Sequence, residues 1–394
     1  MRICYIGRLD FPDGLGGTRR FYDIFGRMTE LGHHVEFVNL DFELPTSLKD
    51  ALLRFNWENN ESMIKDIVVH KLSREISAFS QPLSAGFYTA KLIRRQNIGV
   101  LVLQMPEPHA GIPALIASEL TGTPLVVDYP DSNYRAPSNS RSVVGDLSAR
   151  VEWCIAQRAD LVLPISETMD RELLSDLPDH KKHVLRPGIQ YEKIAAGTPD
   201  DSLVPDGFVV GYLGSYAERE GVVELLDAVE LLRDDIQEIQ LVMAGGVKGP
   251  NSDFIKESVT SDMEGHVTEI DFIEHDRLPD FMASCDVLCA PQRDTFGHRV
   301  AFSTKVCEFL ASPTPVVTTS VGDLGEMLED RRHAVVIKPQ EVNDLREGIR
   351  KLYENPEQRI EVGISGQELA KNELNANVQR RTAENLLSQQ ISRP

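Results

Sequence analysis

The stretch PQRDTFGHRVAFSTKVCEFLASPTPVVT (Pro291–Thr318) lies against short apolar runs at both of its ends. SCDVLCA (Ser284–Ala290) precedes it and PVVT closes it, while STKVCEFLAS between them has helical character. A strand, a loop, a helix and a second strand in this order are typical of an open α/β sheet. In such sheets ligands bind beyond the carboxyl ends of the strands, and helix N-termini there attract phosphate.

Two charged side chains of this stretch, Lys305 and Glu308, are three residues apart and therefore share one helix face. A cation and a carboxylate at the mouth of such a sheet suit a ligand that carries both phosphate and ribose. The alternative is a surface ion pair on an amphipathic helix, which is common at this spacing.

Strands alternate with helices through both halves of the chain, a pattern that predicts parallel sheets covered on both faces. The expected fold is α/β, with two Rossmann-like domains facing each other across a cleft. We expect residues 1–188 to form the first domain, 189–206 a linker and 207–374 the second domain. Residues 375–394 are expected to form a helix that packs back at the domain junction. Residues 46–96 are expected to be mostly helical, with interruptions near Gln81-Pro82 and Gly86.

Composition limits the classes of partner. The chain has 394 residues and a formal net charge of −20, which disfavours nucleic acid as a partner because phosphate backbones require a basic surface. The five cysteines are scattered without a metal-ligand spacing, so buried thiols in a reducing cytoplasm are expected and a zinc site is not. The N-terminus lacks the apolar core of a signal peptide, and apolar runs stay shorter than a membrane span.

The first predicted strand, RICYIG (Arg2–Gly7), is followed by a loop that contains the glycine pair Gly16-Gly17 and then by a helix that Gly32 is expected to end as a C-cap. A glycine pair in a strand–loop–helix start resembles a phosphate-binding turn. A flexible connection between strand and helix is the alternative interpretation.

Several motifs together carry a resemblance to a known family. LGHHVEFV resembles an N-terminal "L…GHeV" entry, and VVGYLGS followed by EGVVELLDAVELL resembles a strand, loop and helix that receive a diphosphate. STKVCEFLASPTPVVTT resembles the block "K-x-x-E-Y-x-A-x-G-x-P-V-V" closely, and this block is the most specific of the set. With these segments, nearly the whole chain resembles glycosyltransferase family 4, the retaining sugar-nucleotide enzymes with the GT-B fold.

The resemblance implies that the second domain holds a nucleotide-diphosphate sugar and that the first presents the acceptor. Glu308 would accept hydrogen bonds from the ribose hydroxyls, Lys305 and the loop before it would face phosphate or sugar, and Ile273 would lie at the base. The complete set implied at the donor is Gly16, Gly17, Ser215, Arg219, Gly245, Ile273, Arg293, Arg299, Ser303, Thr304, Lys305 and Glu308.

Several positions depart from the family pattern. Ser215 and Glu220 stand where the family has the arginine and lysine of its diphosphate site, and Val300 stands where it has the first of two glutamates. A histidine that some relatives carry in the N-terminal loop is Pro106 here. The cations available as substitutes at the diphosphate are Arg219, Arg293, Arg299 and Lys305, of which Arg219 is the first choice.

The implied activity is transfer of a hexose-type sugar to a glycan or lipid-linked acceptor with retention of configuration and without a metal or other cofactor. His109 and Asp131 are the candidates to orient or deprotonate the acceptor hydroxyl. Two alternatives remain: a GT-B sugar-nucleotide epimerase and a non-catalytic nucleotide-sugar-binding protein.

The expected location is the cytoplasm, with peripheral contact at the inner face of the membrane. A basic patch would make this contact, and a solvated helix face is the alternative to it. The residues of the patch are Arg19, Arg20, Lys91, Arg94 and Arg95.

Overall fold

The computed structural model describes residues 1–11, 16–41, 59–64, 66–73, 81–131, 143–245, 259, 263 and 265–392. The chain divides into two units. The first unit contains Met1–Gly188 and Asn377–Pro394, and the second contains Ile189–Ala376.

The first unit is built on a sheet whose strands follow the order β3-β4-β2-β1-β5-β6-β7. All neighbours pair in parallel except β3, which runs antiparallel to β4. The central strands VLVLQ and LVVDY are buried throughout, as expected for a parallel sheet covered on both faces, and they are apolar except for Gln104 and Asp128 near their carboxyl ends. The strands are β1 (Arg2–Gly7), β2 (His34–Asp41), β3 (Asn59–Ile64), β4 (Ile67–Ser73), β5 (Val100–Gln104), β6 (Leu125–Tyr129) and β7 (Leu161–Pro164).

The prediction of mostly helical structure over residues 46–96 is wrong for the part that forms β3 and β4. IVVHKLS (Ile67–Ser73) begins with β-branched residues, which favour a strand, and it extends the sheet beside β2. Gln81 and Pro82, expected to interrupt a helix, instead begin one. Proline is tolerated there because the first helical turn has no intrahelical partner for its missing N–H.

The helices of the first unit connect these strands. The first one starts as a short α-helical turn, continues through Phe21–Phe25 as a π-helical turn and through Gly26–Leu31 as a 3₁₀-helix, and ends at Gly32. Gly32 has φ 79°, the left-handed conformation predicted for a glycine cap. The α-helices are α1 (Gly17–Arg20), α2 (Gln81–Gln96), α3 (Pro108–Thr121), α4 (Val143–Arg158) and α5 (Glu167–Leu173).

The second unit repeats this architecture with a parallel sheet in the order β10-β9-β8-β11-β12-β13. Its strands are β8 (Phe208–Leu213), β9 (Ile239–Ala244), β10 (Val267–Ile270), β11 (Val287–Ala290), β12 (Val316–Thr319) and β13 (Val335–Ile337). Its helices are α6 (Tyr191–Ala195), α7 (Val222–Leu232), α8 (Leu278–Ser284), α9 (Phe296–Val300), α10 (Thr304–Ala311), α11 (Asp323–Met327), α12 (Val342–Glu354) and α13 (Pro356–Leu369).

Residues 189–206, predicted as a linker, lie in the second unit and include α6. The backbone N–H of Thr198 donates to Asp280 Oδ1 at 3.0 Å, and that of Asp200 donates to Ser284 Oγ at 2.8 Å. Both bonds attach the segment to α8.

The last helix, α14 (Ala376–Ile391), returns to the first unit. Ala383 and Leu387 are buried in the same apolar cluster as Ile3 and Met28. The buried Arg380 guanidinium donates to the Asp23 carbonyl oxygen at 2.9 and 3.1 Å.

Each sheet has one place where the strand order reverses direction. In the first unit β1 lies between β2 and β5, and in the second β8 lies between β9 and β11. In open α/β sheets ligands bind outside the carboxyl ends of the strands at such a switch point. The loops after β1 and β5, and those after β8 and β11, are therefore the places to search for a site.

Candidate functional site

The switch point of the second unit is formed by two loops and the first turn of α10. The loop after β8 leads through Gly214 and a 3₁₀-turn, Glu218–Glu220, into α7. The loop after β11 leads through α9 to α10, whose first turn is capped by Ser303 because its Oγ accepts from the backbone N–H of Val306.

Lys305 projects from this capped turn and lies over the end of β8. Its Nζ donates to Glu220 Oε2 at 2.8 Å and to the Tyr212 hydroxyl at 3.2 Å, and it lies 4.5 Å from the centre of the Tyr212 ring. A Cβ placed on Gly214 would lie 2.8 Å from the same Nζ, and Gly214 has φ 137°. Glycine is therefore required where the ammonium meets the backbone.

Glu220 connects Lys305 to a second polar residue, His298. Its second carboxylate oxygen lies 3.5 Å from His298 Nε2, and His298 is held from its other side by an Nδ1 contact of 3.1 Å to the Arg293 carbonyl oxygen. Burial raises the pKa of Glu220, but the hydrogen bond from His298 and the charge of Lys305 outweigh it and hold the pKa well below its usual range. Burial lowers the pKa of Lys305, which the charge of Glu220 opposes. The sequence singled out Glu220 only as a departure and missed His298, which lies in α9.

Two of the three arginines predicted to replace the missing family cations pair with carboxylates other than Glu220. Arg293 donates to Glu224 Oε1 at 2.6 Å and to Glu218 Oε1 at 2.5 Å. Arg299 donates to Asp294 Oδ1 at 3.2 Å.

Arg219, the first choice from the sequence, has a side chain that is 64% exposed and reaches Glu220 Oε1 only at 3.5 Å. Lys305 is therefore the predicted cation with the most buried position at the switch point, since its side chain is 16% exposed.

The remaining predicted donor residues follow strand ends at the same edge of the sheet or lie on α10. Ser215 is exposed, and its carbonyl oxygen accepts from the Tyr212 hydroxyl at 2.6 Å. Gly245 follows β9 with φ 93°, so close to β8 that a Cβ there would lie 3.6 Å from the Gly214 backbone. Ile273 lies half-buried beyond β10. Thr304 begins α10, and Glu308 lies half-buried one turn after it.

The loops of this edge are fixed to one another by the backbone. The N–H of Arg293 donates to the Arg219 carbonyl oxygen at 2.8 Å. Gly221 has φ 73°, and a Cβ there would lie only 1.9 Å from the Pro291 carbonyl oxygen. The loop after β8 is therefore held against the loop after β11.

In the first unit the glycine pair lies beside the end of β5. A Cβ on Gly17 would lie 2.9 Å from Gln104 Nε2, whereas Gly16 faces open space with φ 41°. Arg20, three residues after Gly17, is buried and pairs with the buried Asp128 at the end of β6. The prediction that Arg20 belongs to an exposed basic patch is therefore wrong, because its charge is matched inside the unit.

His109 lies in the first turn of α3, just beyond β5, with its Nε2 3.2 Å from Glu107 Oε2. Burial lowers the pKa of His109, although the charge of Glu107 raises it. Asp131 is exposed after the end of the neighbouring strand β6. A neutral imidazole beside a carboxylate is chemically suited to accept a proton.

Sequence reasoning missed two carboxyl groups near His109. Glu107 precedes it by two residues in the loop MPEPHAG and could have been noticed there. Glu152 of α4 accepts a hydrogen bond from the Tyr129 hydroxyl, and burial and then the charge of Glu107 raise the pKa of Glu152 to about 8. An amphipathic helix pattern carries no signal for such a buried acid.

Two family models together match most of the chain. Residues 16–188 match "Glycosyl transferase 4-like domain", and residues 207–355 match "Glycosyl transferases group 1". An uncharacterized glycosyltransferase of Methanocaldococcus jannaschii is 28% identical over 160 residues, which are 41% of this chain and 42% of that protein. The chain spans about half the length of the first curated relatives it matches.

Solved structures match over the whole chain at low identity. A glycosyltransferase from Rickettsia africae has a TM-score of 0.78 at 13% identity and covers 100% of this chain and 99% of its own. Anabaena HepE in complex with UDP has a TM-score of 0.75 at 18% identity and covers 99% of this chain and 100% of its own, and HepE was also solved with UDP-glucose. At these identities the likeness shows a shared fold.

Proposed function

Since the chain belongs to glycosyltransferase family 4 and has its GT-B fold, we propose that it transfers a hexose-type sugar from a nucleotide-diphosphate sugar to a glycan or lipid-linked acceptor with retention of configuration. The observation that carries the proposal is the position of Lys305, whose ammonium lies over Gly214 at the switch point of the second unit. Glu308 lies on the same helix, one turn further on.

The two charges have different tasks in this proposal. Lys305 faces the diphosphate, and the backbone from Phe302 to Thr304 contributes N–H donors to phosphate or sugar. The N–H groups of Arg299 and Ala301, earlier in this segment, already donate to the carbonyl oxygens of Thr295 and Gly297. The Glu308 carboxylate accepts hydrogen bonds from the ribose hydroxyls, a task that suits an acceptor-only group. The base lies near Ile273. HepE, which shares the fold, was solved with UDP and UDP-glucose, and this supports a nucleotide-sugar donor here.

The chemical step is breakage of the bond between the sugar and a nucleoside diphosphate. Stabilising the charge that develops on the leaving diphosphate is the largest electrostatic task. In the proposal Lys305 and the loop N–H groups stabilise this charge without a metal. On the acceptor side, His109 with Glu107 and Asp131 binds the acceptor hydroxyl and orients it.

Turnover measurements test this function. The purified chain is incubated with UDP-, GDP- and ADP-sugars together with glycan and lipid-linked acceptors, and released nucleotide and glycosylated product are measured. We expect turnover with one donor class and its loss by orders of magnitude in Glu308→Ala. Nucleotide binding without turnover of any donor would contradict the enzyme and favour a nucleotide-sugar-binding protein. A changed sugar nucleotide without transfer would indicate an epimerase.

Peripheral membrane contact is part of the proposal and is assigned to one face of α2. Leu83 and Phe87 are large exposed apolar side chains one turn apart, and Lys91, Arg94 and Arg95 continue the exposed surface. Apolar and basic side chains together suit an anionic lipid surface. Among the described helices, none combines the length and apolarity that spanning a bilayer requires.

Co-sedimentation with vesicles of anionic or neutral lipid tests this contact. Binding to anionic vesicles only, lost in Lys91→Glu/Arg95→Glu, is expected. Equal recovery with both lipids would refute the assignment.

A further inference from the structure

Lys305 already holds an anion in this structure, because the Glu220 carboxylate lies on it at 2.8 Å. An ammonium has three N–H donors, and Glu220 and the Tyr212 hydroxyl accept two of them. With Glu220 in place, the Lys305 pair carries no net charge. An incoming diphosphate therefore meets a cation that is neutralised and a carboxylate that repels it.

The position of Glu220 along the chain is fixed, while its side chain has a second partner. Its N–H donates to the Ala217 carbonyl oxygen at 2.8 Å, and the following Gly221 packs against Pro291. The side chain also lies 3.5 Å from His298 Nε2. The carboxylate therefore keeps His298 as a partner when a diphosphate takes its place on Lys305.

We propose that the Glu220 carboxylate competes with the diphosphate for Lys305. This competition weakens binding of the nucleoside diphosphate product more than it weakens binding of the donor. This inference rests on the proposed function, since it assigns a residue that tunes affinity at the same site. It compares two anions: the donor, which occupies this site before transfer, and the nucleoside diphosphate, which occupies it afterwards.

The charge balance of the transfer explains the direction of this discrimination. The bond between the anomeric carbon and the β-phosphate oxygen breaks and leaves its electron pair on that oxygen, while the acceptor oxygen bonds to the anomeric carbon. The acceptor proton passes to the released diphosphate and then to water. The β-phosphate is bonded to both the sugar and the α-phosphate in the donor and carries one negative charge there. After transfer it is a terminal phosphate, whose second ionisation has a pKa of about 6. A fixed carboxylate beside it repels the product more strongly than the donor.

Titration calorimetry with UDP, GDP, ADP and inorganic pyrophosphate tests the competitor directly. We expect Glu220→Gln to bind the cognate nucleoside diphosphate and pyrophosphate about tenfold or more tightly than the wild type. In steady-state assays the product-inhibition constant should fall more than the donor KM. Glu218→Gln is the matched control, because it removes the same charge two residues away, where the carboxylate is paired with Arg293 instead. Less than about a threefold change is expected for it.

A background that lacks the Lys305 ammonium separates competition for Lys305 from a general electrostatic effect. In Lys305→Met, the additional Glu220→Gln change should give a much smaller gain, because the two anions no longer compete for one ammonium. Thermal melting verifies that each variant is folded. If Glu220→Gln does not fold, Glu220→Asp, which withdraws the carboxylate by one methylene, should show the same direction with a smaller gain.

Equal or weaker anion binding by Glu220→Gln would overturn the inference, since Glu220 would then orient Lys305 for the phosphate. An equal gain in Glu218→Gln would also overturn it. Tighter pyrophosphate binding by Glu220→Gln in a protein that binds no nucleoside diphosphate would support the competitor and refute the proposed donor, so the two failures are distinguishable.

Discussion

Asp128→Asn removes one charge from a buried ion pair of the first unit. Arg20 Nη2 lies 2.7 Å from Asp128 Oδ1, Arg20 Nε lies 3.0 and 3.2 Å from the two carboxylate oxygens, and the Tyr5 hydroxyl donates to the second of these at 3.1 Å. Arg20 is 6% exposed and Asp128 is fully buried. The guanidinium also donates to the carbonyl oxygens of Leu185 and Arg186 at 2.9 and 3.1 Å.

The expected loss follows from the charge that the substitution leaves behind. Asparagine keeps the shape of the side chain but leaves the Arg20 guanidinium buried without a counter-charge. Breaking a buried pair in this way costs about 3–5 kcal/mol, and we expect the free energy of unfolding of the first unit to fall by that amount. Arg20→Met/Asp128→Leu removes both charges, so it should recover most of the loss.

Urea unfolding followed together with amide hydrogen exchange of β1 and β6 measures this loss in the first unit itself. Glu347→Gln, which breaks an exposed pair with Arg350, is the control and should leave the transition close to that of the wild type. A loss below about 1 kcal/mol in Asp128→Asn would refute the reasoning, since the Arg20 charge would then be solvated.

Three further predictions concern the switch point and the buried acid. Lys305→Met should raise the donor KM by about tenfold or more, because the diphosphate loses a charge-assisted hydrogen bond. An unchanged KM in steady-state assays would indicate that the arginines, and not Lys305, bind the diphosphate. Burial raises the pKa of Glu152 to about 8 from 4.5, so its contribution to stability is complete below pH 4.5 and is lost as pH rises towards 8. Glu152→Gln should therefore melt at a higher temperature than the wild type at pH 8.5 and at a similar temperature at pH 5, and parallel melting curves would contradict this. In denaturant titrations, the loss of stability caused by Gly221→Ala should exceed that caused by Gly122→Ala by more than about 1 kcal/mol. Both glycines have φ near 70°, but only at Gly221 would the added Cβ meet a carbonyl oxygen. Equal losses would show that the loop around Gly221 shifts to accommodate the Cβ.

The sequence predicted those features that depend on local pattern. The apolar runs within RICYIG and SCDVLCA identified parallel strands, and Gly32 identified a helix end. The fold class followed from the alternation of strands and helices, and the family resemblance is confirmed by matches to both halves of the chain. The hairpin of β3 and β4 was missed, because helix-forming composition nearby concealed a short β-branched run.

Contacts between residues far apart in sequence could not be predicted in the same way. Lys305 and Glu220 are 85 residues apart, and Arg20 and Asp128 are 108 apart. Motif comparison marked Glu220 as a departure, but only the folded switch point brings its carboxylate to the ammonium. Arg20 stands at the start of a helix that its sequence suggests is exposed. Nothing in that sequence indicates that a carboxylate from β6 will neutralise the Arg20 charge.

The central claim is that Glu308 holds the ribose of a nucleotide-sugar donor in the second unit, and a hydroxyl-deletion experiment tests it most directly. Calorimetry compares the cognate nucleoside diphosphate with its 2′,3′-dideoxy analogue in the wild type and in Glu308→Ala. Hydrogen bonds to a charged group contribute about 1.5–3 kcal/mol each, so the wild type should prefer the ribose form by about tenfold or more. Glu308→Ala should bind both forms alike. A wild type that binds the dideoxy analogue as tightly as the ribose form, or a Glu308→Ala variant that keeps the full preference, would contradict the assignment.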